Sequence, residues 1–246
     1  MRSKLLLFVF LITVASVPGF AGVSGASNAR VAAEVQDKLY HAGVFKHGAV
    51  KVDVQNGVAR LTGTVDSVGV RNDAANAARK VDHVASVQND ITVHADDLRA
   101  PQIAARARNA IVTYPFYTIF DNVELRYESG TLTVSGQVTQ PFKKSDIGNL
   151  VAHVAGVAAL DNELEVLPNS VYDDQIRRAV ARSIYRDPFF ANYINQALPP
   201  IHIIVKDGNV SLVGVVDTPL ARLKAGTDAR FAATYFGLAN HLRVEG

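Results

Sequence analysis

Arginine side chains recur at every fourth position in the last third of the chain, as Arg178, Arg182 and Arg186. On a helix this spacing places all three on one face. A basic face of this kind could hold the headgroup of an anionic lipid, each charge near the surface contributing about 1 kcal/mol. The alternative is a solvated charged face that Asp174 and Asp187 partly neutralise.

Aromatic side chains are concentrated in two segments, residues 114–120 and 185–194. Such side chains suit a membrane interface and a protein interface equally well. The alternative is that they fold back as lids over small cores that need bulk. The aromatic residues that we consider for lipid or partner binding are Phe116, Tyr117, Phe120, Phe189, Phe190 and Tyr193.

Residues with the spacing of a metal site or of a catalytic motif do not occur in the sequence. The chain has 7 histidines and no cysteine, and the histidines form no metal-ligand pair at helical spacing. No Gly-x-Ser-x-Gly elbow, phosphate-binding loop or dinucleotide-binding fingerprint is present. We therefore expect no metal, no cofactor and no enzymatic activity. His202 lies between apolar residues of a predicted strand, and we expect it on the surface or at a sheet edge.

Charge and composition indicate a globular protein with no general attraction to nucleic acid. The chain has 246 residues, 48% of them hydrophobic and 20% charged, with a formal net charge of +2. That excess comes from Arg2 and Lys4, so the sequence from Ser27 onward is neutral. A neutral chain lacks the overall positive field that nucleic-acid binding requires.

The first 26 residues have the pattern of an export signal. A short basic start is followed by an uncharged aliphatic run over residues 5–17 and then by small residues. We expect cleavage after Ala26, or after Ala21, and therefore a periplasmic protein. The alternative is a retained anchor, although the run is short for a helix that needs roughly 20 residues to span a bilayer.

The remaining sequence repeats one unit three times. In each copy a glycine is followed by a second glycine six residues later and by an asparagine 32 residues later. These structural repeat residues are Gly57, Gly63 and Asn89, then Gly130, Gly136 and Asn162, and finally Gly208, Gly214 and Asn240. Repetition without any change in spacing predicts three copies of one fold.

The spacing within each copy predicts its secondary structure. The first glycine ends a turn dipeptide of a β-hairpin, as in Asn56-Gly57. The second glycine lies on the inward face of the next strand, where we expect it to let the following helix approach closely. The asparagine replaces an inward apolar residue, so its amide must find hydrogen-bond partners. We expect it to tie the strand end to a neighbouring loop; three ligand sites are the alternative.

Helical apolar stripes before and after each hairpin complete an α-β-β-α-β unit. The predicted fold is α/β, of the α+β type: three tandem two-layer units, each a small mixed sheet with two helices packed on one face. We place the units at residues 27–97, 98–168 and 169–246.

The sequence of each unit resembles the BON domain of bacterial periplasmic proteins. Residues 156–166, GVAALDNELEV, carry the resemblance best, together with the hairpin and strand glycines. The resemblance implies a non-enzymatic envelope protein, often one of stress protection, that contacts phospholipid surfaces or other proteins. We take phospholipid contact through the second and third copies as the leading hypothesis and a protein-interaction module as the alternative; the oligomeric state stays open.

Overall fold

The computed structural model describes residues 25–94 and 99–245. Residues 1–24, which carry most of the predicted export signal, lie outside them. None of the helices within these two ranges has both the length and the apolar character that crossing a bilayer requires.

The first unit contains two helices and three strands. Its elements are α1 (Gly25–His41), a 3₁₀ turn (Val44–Lys46), β1 (Gly48–Gln55), β2 (Val58–Val65), α2 (Val68–Ala78) and β3 (Ser86–Val93). Strands β1 and β2 form an antiparallel hairpin, and β3 pairs in parallel with β2 over its whole length. The predicted α-β-β-α-β order is confirmed in this unit.

The second unit repeats this plan with a divided last strand. It contains α3 (Ala100–Val112), β4 (Asn122–Glu128), β5 (Thr131–Val138), α4 (Pro141–Ala152), β6 (Ala159–Asn162) and β7 (Glu165–Val166). Both β6 and β7 pair in parallel with β5, and β4 pairs with β5 antiparallel.

The third unit adds a short helical segment ahead of its hairpin. It contains α5 (Val171–Tyr185), a 3₁₀ turn (Pro188–Phe190), α6 (Ala191–Ile194), β8 (Ile201–Lys206), β9 (Asn209–Val216), α7 (Pro219–Arg230), β10 (Gly237–Asn240) and β11 (Arg243–Val244). Strands β10 and β11 pair in parallel with β9, and β8 pairs antiparallel with it. Three mixed sheets with helices therefore confirm the predicted fold class, whereas the predicted unit boundaries remain predictions.

The hairpin turns have the backbone conformation that their dipeptides predict. In the first turn Asn56 and Gly57 have φ of 51° and 78°, and in the third Asp207 and Gly208 have φ of 50° and 71°. Two successive positive φ values define a type I′ turn, whose twist matches that of the flanking strands.

The second glycine of each unit is required by the hairpin partner strand and not by a helix. A Cβ atom on Gly63 would lie 2.1 Å from the carbonyl oxygen of Ala49 in β1, and one on Gly136 would lie 2.2 Å from that of Asn122. Gly63 also has a φ of 127°, which a side chain disfavours. Our expectation that the following helix approaches this glycine is wrong, since the backbone that approaches belongs to the neighbouring strand.

Each unit has its own core between its helices and one face of its sheet. The predicted inward residues of the second hairpin strands are all buried, namely Ala59, Leu61, Val65, Leu132, Val134, Val138, Val210, Leu212 and Val216. The helices contribute the predicted apolar stripes, such as Ile176, Val180 and Ile184 of α5. The sequence pattern therefore places the core correctly.

The repeated asparagines tie the last strand of each unit to the helix that precedes it. Asn162 donates from Nδ2 to the carbonyl of Lys144 in α4 (2.9 Å) and accepts at Oδ1 from the amide of Leu164 (3.3 Å). Asn89 and Asn240 make the same two bonds in their own units. The amides have structural partners, as expected, but the partner element is the first turn of a helix and not a loop.

Candidate functional site

The arginine row of the sequence lies on the exposed face of α5. This helix begins at a capping serine, Ser170, whose side chain accepts from the amide of Asp173. Arg178, Arg182 and Arg186 are exposed, and none of them forms an ion pair within residues 25–94 and 99–245. We call these three side chains the α5 arginine face.

The carboxylates expected to neutralise the α5 arginine face are engaged with other cations. Asp174 pairs with Arg177 at 2.5 Å, and Asp187 pairs with Lys224 of α7. Hydrogen bonding to Lys224, followed by the amide of Phe189, holds the pKa of Asp187 below its usual range. The positive charge of the arginine face is therefore left to the solvent or to a ligand.

Two buried charged residues beneath this face stabilise the third hairpin. The Asp173 carboxylate accepts from the turn amides of Asp207 (3.1 Å) and Gly208 (2.8 Å), and Arg177 donates to the carbonyl of Val205 (2.6 Å). The sequence analysis did not single out either residue. Their positions on the inner side of α5, next to apolar residues, are the sequence feature that could have indicated two buried charged residues.

Two of the predicted binding aromatics of the third unit are core residues. Phe190 has no exposed surface and Tyr193 is 5% exposed, and both pack with Ile184 and Val216 in the core. The Tyr193 hydroxyl accepts from the amide of Asp217 (2.9 Å). Their assignment to a binding surface is corrected here, because the 185–194 segment folds back as a lid. Only Phe189, next to the arginine face, remains half exposed.

The predicted aromatics of the second unit divide in the same way. Tyr117 packs on the core of its own unit, where burial raises its pKa to about 12, and Phe120 packs on the core of the third unit. Phe116 is 56% exposed and lies edge-to-face against Phe142 of α4, with ring centroids 5.6 Å apart. Tyr114 contacts the other side of Phe116 and donates its hydroxyl to Asp146.

The loop that carries Phe120 joins the second unit to the third. The carbonyl of Ile119 accepts from the amide of Ile203 in β8 (2.7 Å), and the carbonyl of Asp121 accepts from Nδ1 of His202. His202 lies on β8, which pairs with β9 and with no other strand of the described residues, so the expected sheet-edge position is correct. The expected alternative of a surface position is wrong, because this loop covers His202 and buries it. Burial lowers the pKa of His202, more than the Asp121 carbonyl and the Asp121 charge raise it.

A buried ion pair holds this joining loop in place. The Asp121 carboxylate accepts from Nζ of Lys143 (2.7 Å) and from the backbone amides and hydroxyls of Thr118 and Thr139. Lys143 occupies a position of α4 that is Val70 in the first unit and Ala221 in the third. The charge is therefore specific to the second unit, the unit whose loop contacts a neighbour through Asp121.

The first and second units meet through the start of α2 and the end of α4. Across this junction the amide of Val68 donates to Val157 O and the amide of Gly156 donates to Asp66 O, each at 2.8 Å. Val68 packs into the core of the second unit, and Nε2 of His153 lies 2.9 Å from the Asp73 carboxylate.

Within the described residues, His, Asp and Glu side chains form no group of three that could hold a metal ion. Two groups of surface side chains are candidates for binding. One is the α5 arginine face with Phe189, and the other is the aromatic group of Tyr114, Phe116 and Phe142 on the second unit.

Comparison with known proteins shows that all three units match the same domain family. Residues 27–95, 100–168 and 172–246 each match the BON domain. The chain is 37% identical over 76 residues to Osmotically-inducible protein Y of Escherichia coli (strain K12), a match of 31% of this chain and 35% of that protein. The match thus spans about a third of the relative's length.

Among solved structures, the chain resembles the C-terminal domain of CdsD, a structural protein of the type III secretion system of Chlamydia trachomatis. The TM-score is 0.26 at 14% identity, covering 85% of this chain and 96% of that one. The periplasmic domain of PrgH matches with a TM-score of 0.21 at 12% identity, covering 84% and 100%. Scores this low support no conclusion about function.

Proposed function

This chain belongs to the BON domain family, and from that premise we propose that it is a non-enzymatic protein of the bacterial envelope whose third unit binds anionic phospholipid surfaces. The name of its relative, Osmotically-inducible protein Y, supports a role under osmotic stress. The uncharged aliphatic run after a basic start, over residues 5–17, supports export to the periplasm.

The observation that carries the lipid proposal is the unpaired charge of the α5 arginine face. The three guanidinium groups span about 12 Å along the helix, since eight residues rise 1.5 Å each. Guanidinium groups form paired hydrogen bonds with phosphate oxygens, and each positive charge near an anionic surface contributes about 1 kcal/mol. Three such contacts are enough for a weak, salt-sensitive association with a bilayer.

Phe189 gives this face an apolar component at one end. It follows Arg186 by three residues, is half exposed, and rests edge-to-face on the buried ring of Phe190. An aromatic ring beside cationic side chains suits the interfacial region of a bilayer, where apolar and polar groups meet. We therefore define the proposed lipid site as Arg178, Arg182, Arg186 and Phe189.

Vesicle sedimentation tests this proposal directly. The purified protein, expressed from residues 1–246, is mixed with vesicles of phosphatidylcholine alone or with added phosphatidylglycerol, at low and at high salt. We expect sedimentation with the anionic vesicles only, and loss of binding at high salt because exposed charges are screened. The triple substitution Arg178→Gln, Arg182→Gln and Arg186→Gln should reduce the bound fraction at least tenfold.

The second unit provides a matched control. Exposed arginines there include Arg106 and Arg108 on α3, the helix equivalent to α5, and Arg126 on β4. Changing these three to Gln removes the same charge and should leave binding within about twofold, since the attraction depends on local clustering. Equal losses for both triple variants, or no sedimentation of the native protein, would refute the lipid site.

A protein partner at the second unit is the second candidate function. Phe116 and Phe142 present two exposed rings in contact, a pattern typical of interface anchors. Asp146 beside them disfavours an anionic lipid surface at this place. Site-specific photo-crosslinking from position 116 in intact envelopes should give a discrete adduct that Phe142→Ser abolishes and the α5 triple variant retains; an adduct insensitive to Phe142→Ser would refute this function.

A further inference from the structure

Helix α7 of the third unit exposes a row of large apolar side chains. Leu220 and Leu223 are 59% and 67% exposed, and Phe231, directly after the last helical residue, is 82% exposed. Exposed apolar residues in a contiguous row are typical of an interaction surface. The proposed lipid site does not include them, because it lies on the outer face of the neighbouring helix α5.

The row borders a shallow groove between α7 and the edge of the third sheet. The groove has a volume of about 290 Å³. It is lined on the helix side by Leu223, Thr227, Arg230 and Phe231, and on the β10 side by Leu238 and Asn240. Strand β10 pairs with β9 and, among the described residues, with no other strand. One wall of the groove is therefore a free sheet edge.

In the second unit the end of the equivalent helix, α4, contacts the first unit. The second and third units share a fixed offset of 78 residues, so His153 corresponds to Phe231 and Gly156 to Thr234. His153 contacts Asp73 of α2, and Gly156 bonds to Asp66 of the turn before α2. The start of one repeated helix thus packs against the end of another through this place.

The start of α2 contacts the end of α4, whereas the end of α7 has no such contact within the described chain. Gly69 of α2, which lies against the His153 ring, corresponds to Leu220 of α7. The third unit therefore has two apolar residues, Leu220 and Phe231, at the positions that Gly69 and His153 occupy in the first junction. Asp73, the polar partner of His153, corresponds to Lys224.

We propose that the groove between α7 and β10 binds the start of α7 from a second copy of this chain, so that two α7 helices pack antiparallel in a symmetric dimer. A two-fold arrangement lets Leu220 of each copy contact Phe231 of the other, because one surface serves both roles. The first junction supports this occupant, since the end of α4 receives the equivalent segment of the equivalent helix.

The charges at the ends of the row fit this arrangement. Asp217 precedes α7, and Arg230 is the last residue of the helix, and both are exposed. Antiparallel packing brings Asp217 of one copy towards Arg230 of the other, whereas parallel packing would bring like charges together. The antiparallel orientation is therefore favoured by both the apolar and the charged residues.

Sedimentation equilibrium without lipid tests the dimer. The protein expressed from residues 1–246 should show a mass that doubles with rising concentration in the micromolar range. Leu223→Ser and Phe231→Ser should each weaken dimerisation at least tenfold. Phe236→Ser is the matched control, because Phe236 is 83% exposed in the same unit but does not line the groove; it should leave the dissociation constant within about twofold.

Crosslinking tests the orientation, and the chain has no cysteine of its own to interfere. The double variant Leu220→Cys with Phe231→Cys should form a disulfide-linked dimer on mild oxidation, and a mixture of the two single variants should form it too. Within one helix the two positions are about 16 Å apart, too far for an internal disulfide. Efficient crosslinking of either single variant alone would contradict the antiparallel orientation.

The dimer proposal and the lipid-site proposal can be refuted independently of each other. A monomeric mass at all concentrations, or equal effects of Phe231→Ser and Phe236→Ser, would overturn the dimer whatever the vesicles show. If the protein is monomeric and Leu223→Ser reduces vesicle sedimentation, the groove contacts the bilayer and the dimer proposal is wrong. Dimerisation without any vesicle binding would leave this inference standing and refute the proposed lipid site.

Discussion

The junction between the first and second units and the junction between the second and third are built from different parts of the same repeated fold. At the first, a helix start meets a helix end, and the titratable contact between His153 and Asp73 is partly exposed to solvent. At the second, a loop of one unit covers the sheet face of the next, and His202, Asp121 and Lys143 are buried. Equivalent units therefore need not associate in equivalent ways.

The difference follows from one segment and one charge. The 114–121 segment reaches β8, and the Asp121 carboxylate can be buried in it because Lys143 pairs with it. A buried carboxylate without a cation would be strongly destabilising. Among the described residues, the first junction has no buried pair of this kind, since it is formed by two backbone hydrogen bonds, the side chain of Val68 and the partly exposed pair of His153 with Asp73.

The largest expected effect is loss of the buried pair at the second junction. Asp121→Asn leaves the Lys143 ammonium buried without an anion, and we expect a cost of about 3 to 5 kcal/mol to the second unit. Because the chain has three units, each must be followed separately, by urea-dependent amide hydrogen exchange. The exchange of the Ile203 amide should accelerate together with that of β5.

The second junction also contains a suitable control. Lys206 and Glu165 join the same two units at 2.5 Å, but both side chains are nearly half exposed. Glu165→Gln should cost less than about 1 kcal/mol, since solvent screens such pairs. Asp121→Asn combined with Lys143→Met should recover more than half of the loss. Equal costs for Asp121→Asn and Glu165→Gln would show that burial does not distinguish the two pairs.

A smaller effect is expected from a methyl group at the first junction. A Cβ on Gly69 would lie 2.6 Å from Nδ1 of His153, so Gly69→Ala must displace that ring. We expect a cost of about 1 to 3 kcal/mol, the usual range for overpacking. The equivalent residue of the second unit is Phe142, half exposed, so the helix itself does not require glycine here.

Amide exchange at Val68 and Gly156 measures this effect, because both amides donate across the junction. Asn72→Ala, at an exposed position of the same helix, is the control and should leave both rates unchanged. Unchanged exchange in Gly69→Ala as well would mean that the glycine does not set the approach of the two units.

The sequence predicts the interior of each unit well and the contacts between units poorly. Dipeptides such as Asn56-Gly57 specify turns, and helical spacing specifies stripes such as Ile176, Val180 and Ile184, because both are local patterns. His202 was assigned to the outward face of its strand. The structure covers that face with residues more than 80 positions earlier in the chain, and single-sequence periodicity carries no information about such contacts.

The candidate site shows the same limit. Helical spacing correctly predicts that Arg178, Arg182 and Arg186 are exposed, since a regular helix has predictable faces. It does not say whether an irregular segment turns inward, so Phe190 and Tyr193 were assigned to the surface although they complete the core. A lysine at 143, inside an otherwise apolar stripe, was a usable signal of a buried partner, but nothing in the local sequence identified Asp121.

Acid should loosen the second junction. Burial lowers the folded-state pKa of His202, so the unfolded state binds a proton more readily as pH falls below about 6.5. The stability that neutral His202 contributes to the folded state is therefore complete above that pH and is lost below it. The groups facing the ring are Asp121, Tyr117 and, through Asp121, Lys143. Exchange of the Ile203 amide, corrected for its intrinsic pH dependence, should accelerate at pH 5.

His202→Gln separates this titration from other effects of acid. Glutamine can still donate to the Asp121 carbonyl but does not titrate, so the protection of Ile203 should no longer fall between pH 7.5 and pH 5. The less conservative His202→Ala leaves the Asp121 carbonyl without this donor, which costs about 1 to 3 kcal/mol. An identical pH dependence in His202→Gln would assign the change to another group.

The smallest effect, and one of opposite sign, is expected at the first junction. Burial lowers the pKa of His153, but hydrogen bonds to the Asn149 carbonyl and the Asp73 carboxylate outweigh it, so the pKa is raised above 6.5. A raised pKa means that the folded state holds its proton more tightly, so the stabilisation is complete below about pH 6.5 and is lost as pH rises through the folded-state pKa.

Asp73→Asn should cost less than about 1 kcal/mol at pH 6 and nothing at pH 9, because both side chains are more than a third exposed and screened. Exchange at Val68 and Gly156, corrected for its intrinsic pH dependence, should therefore slow on acidification from pH 8 to pH 6 in the native chain and stay level in Asp73→Asn. Slower exchange at the first junction together with faster exchange at the second would show that one change of pH moves the two junctions in opposite directions, whereas parallel changes would refute the distinction between them.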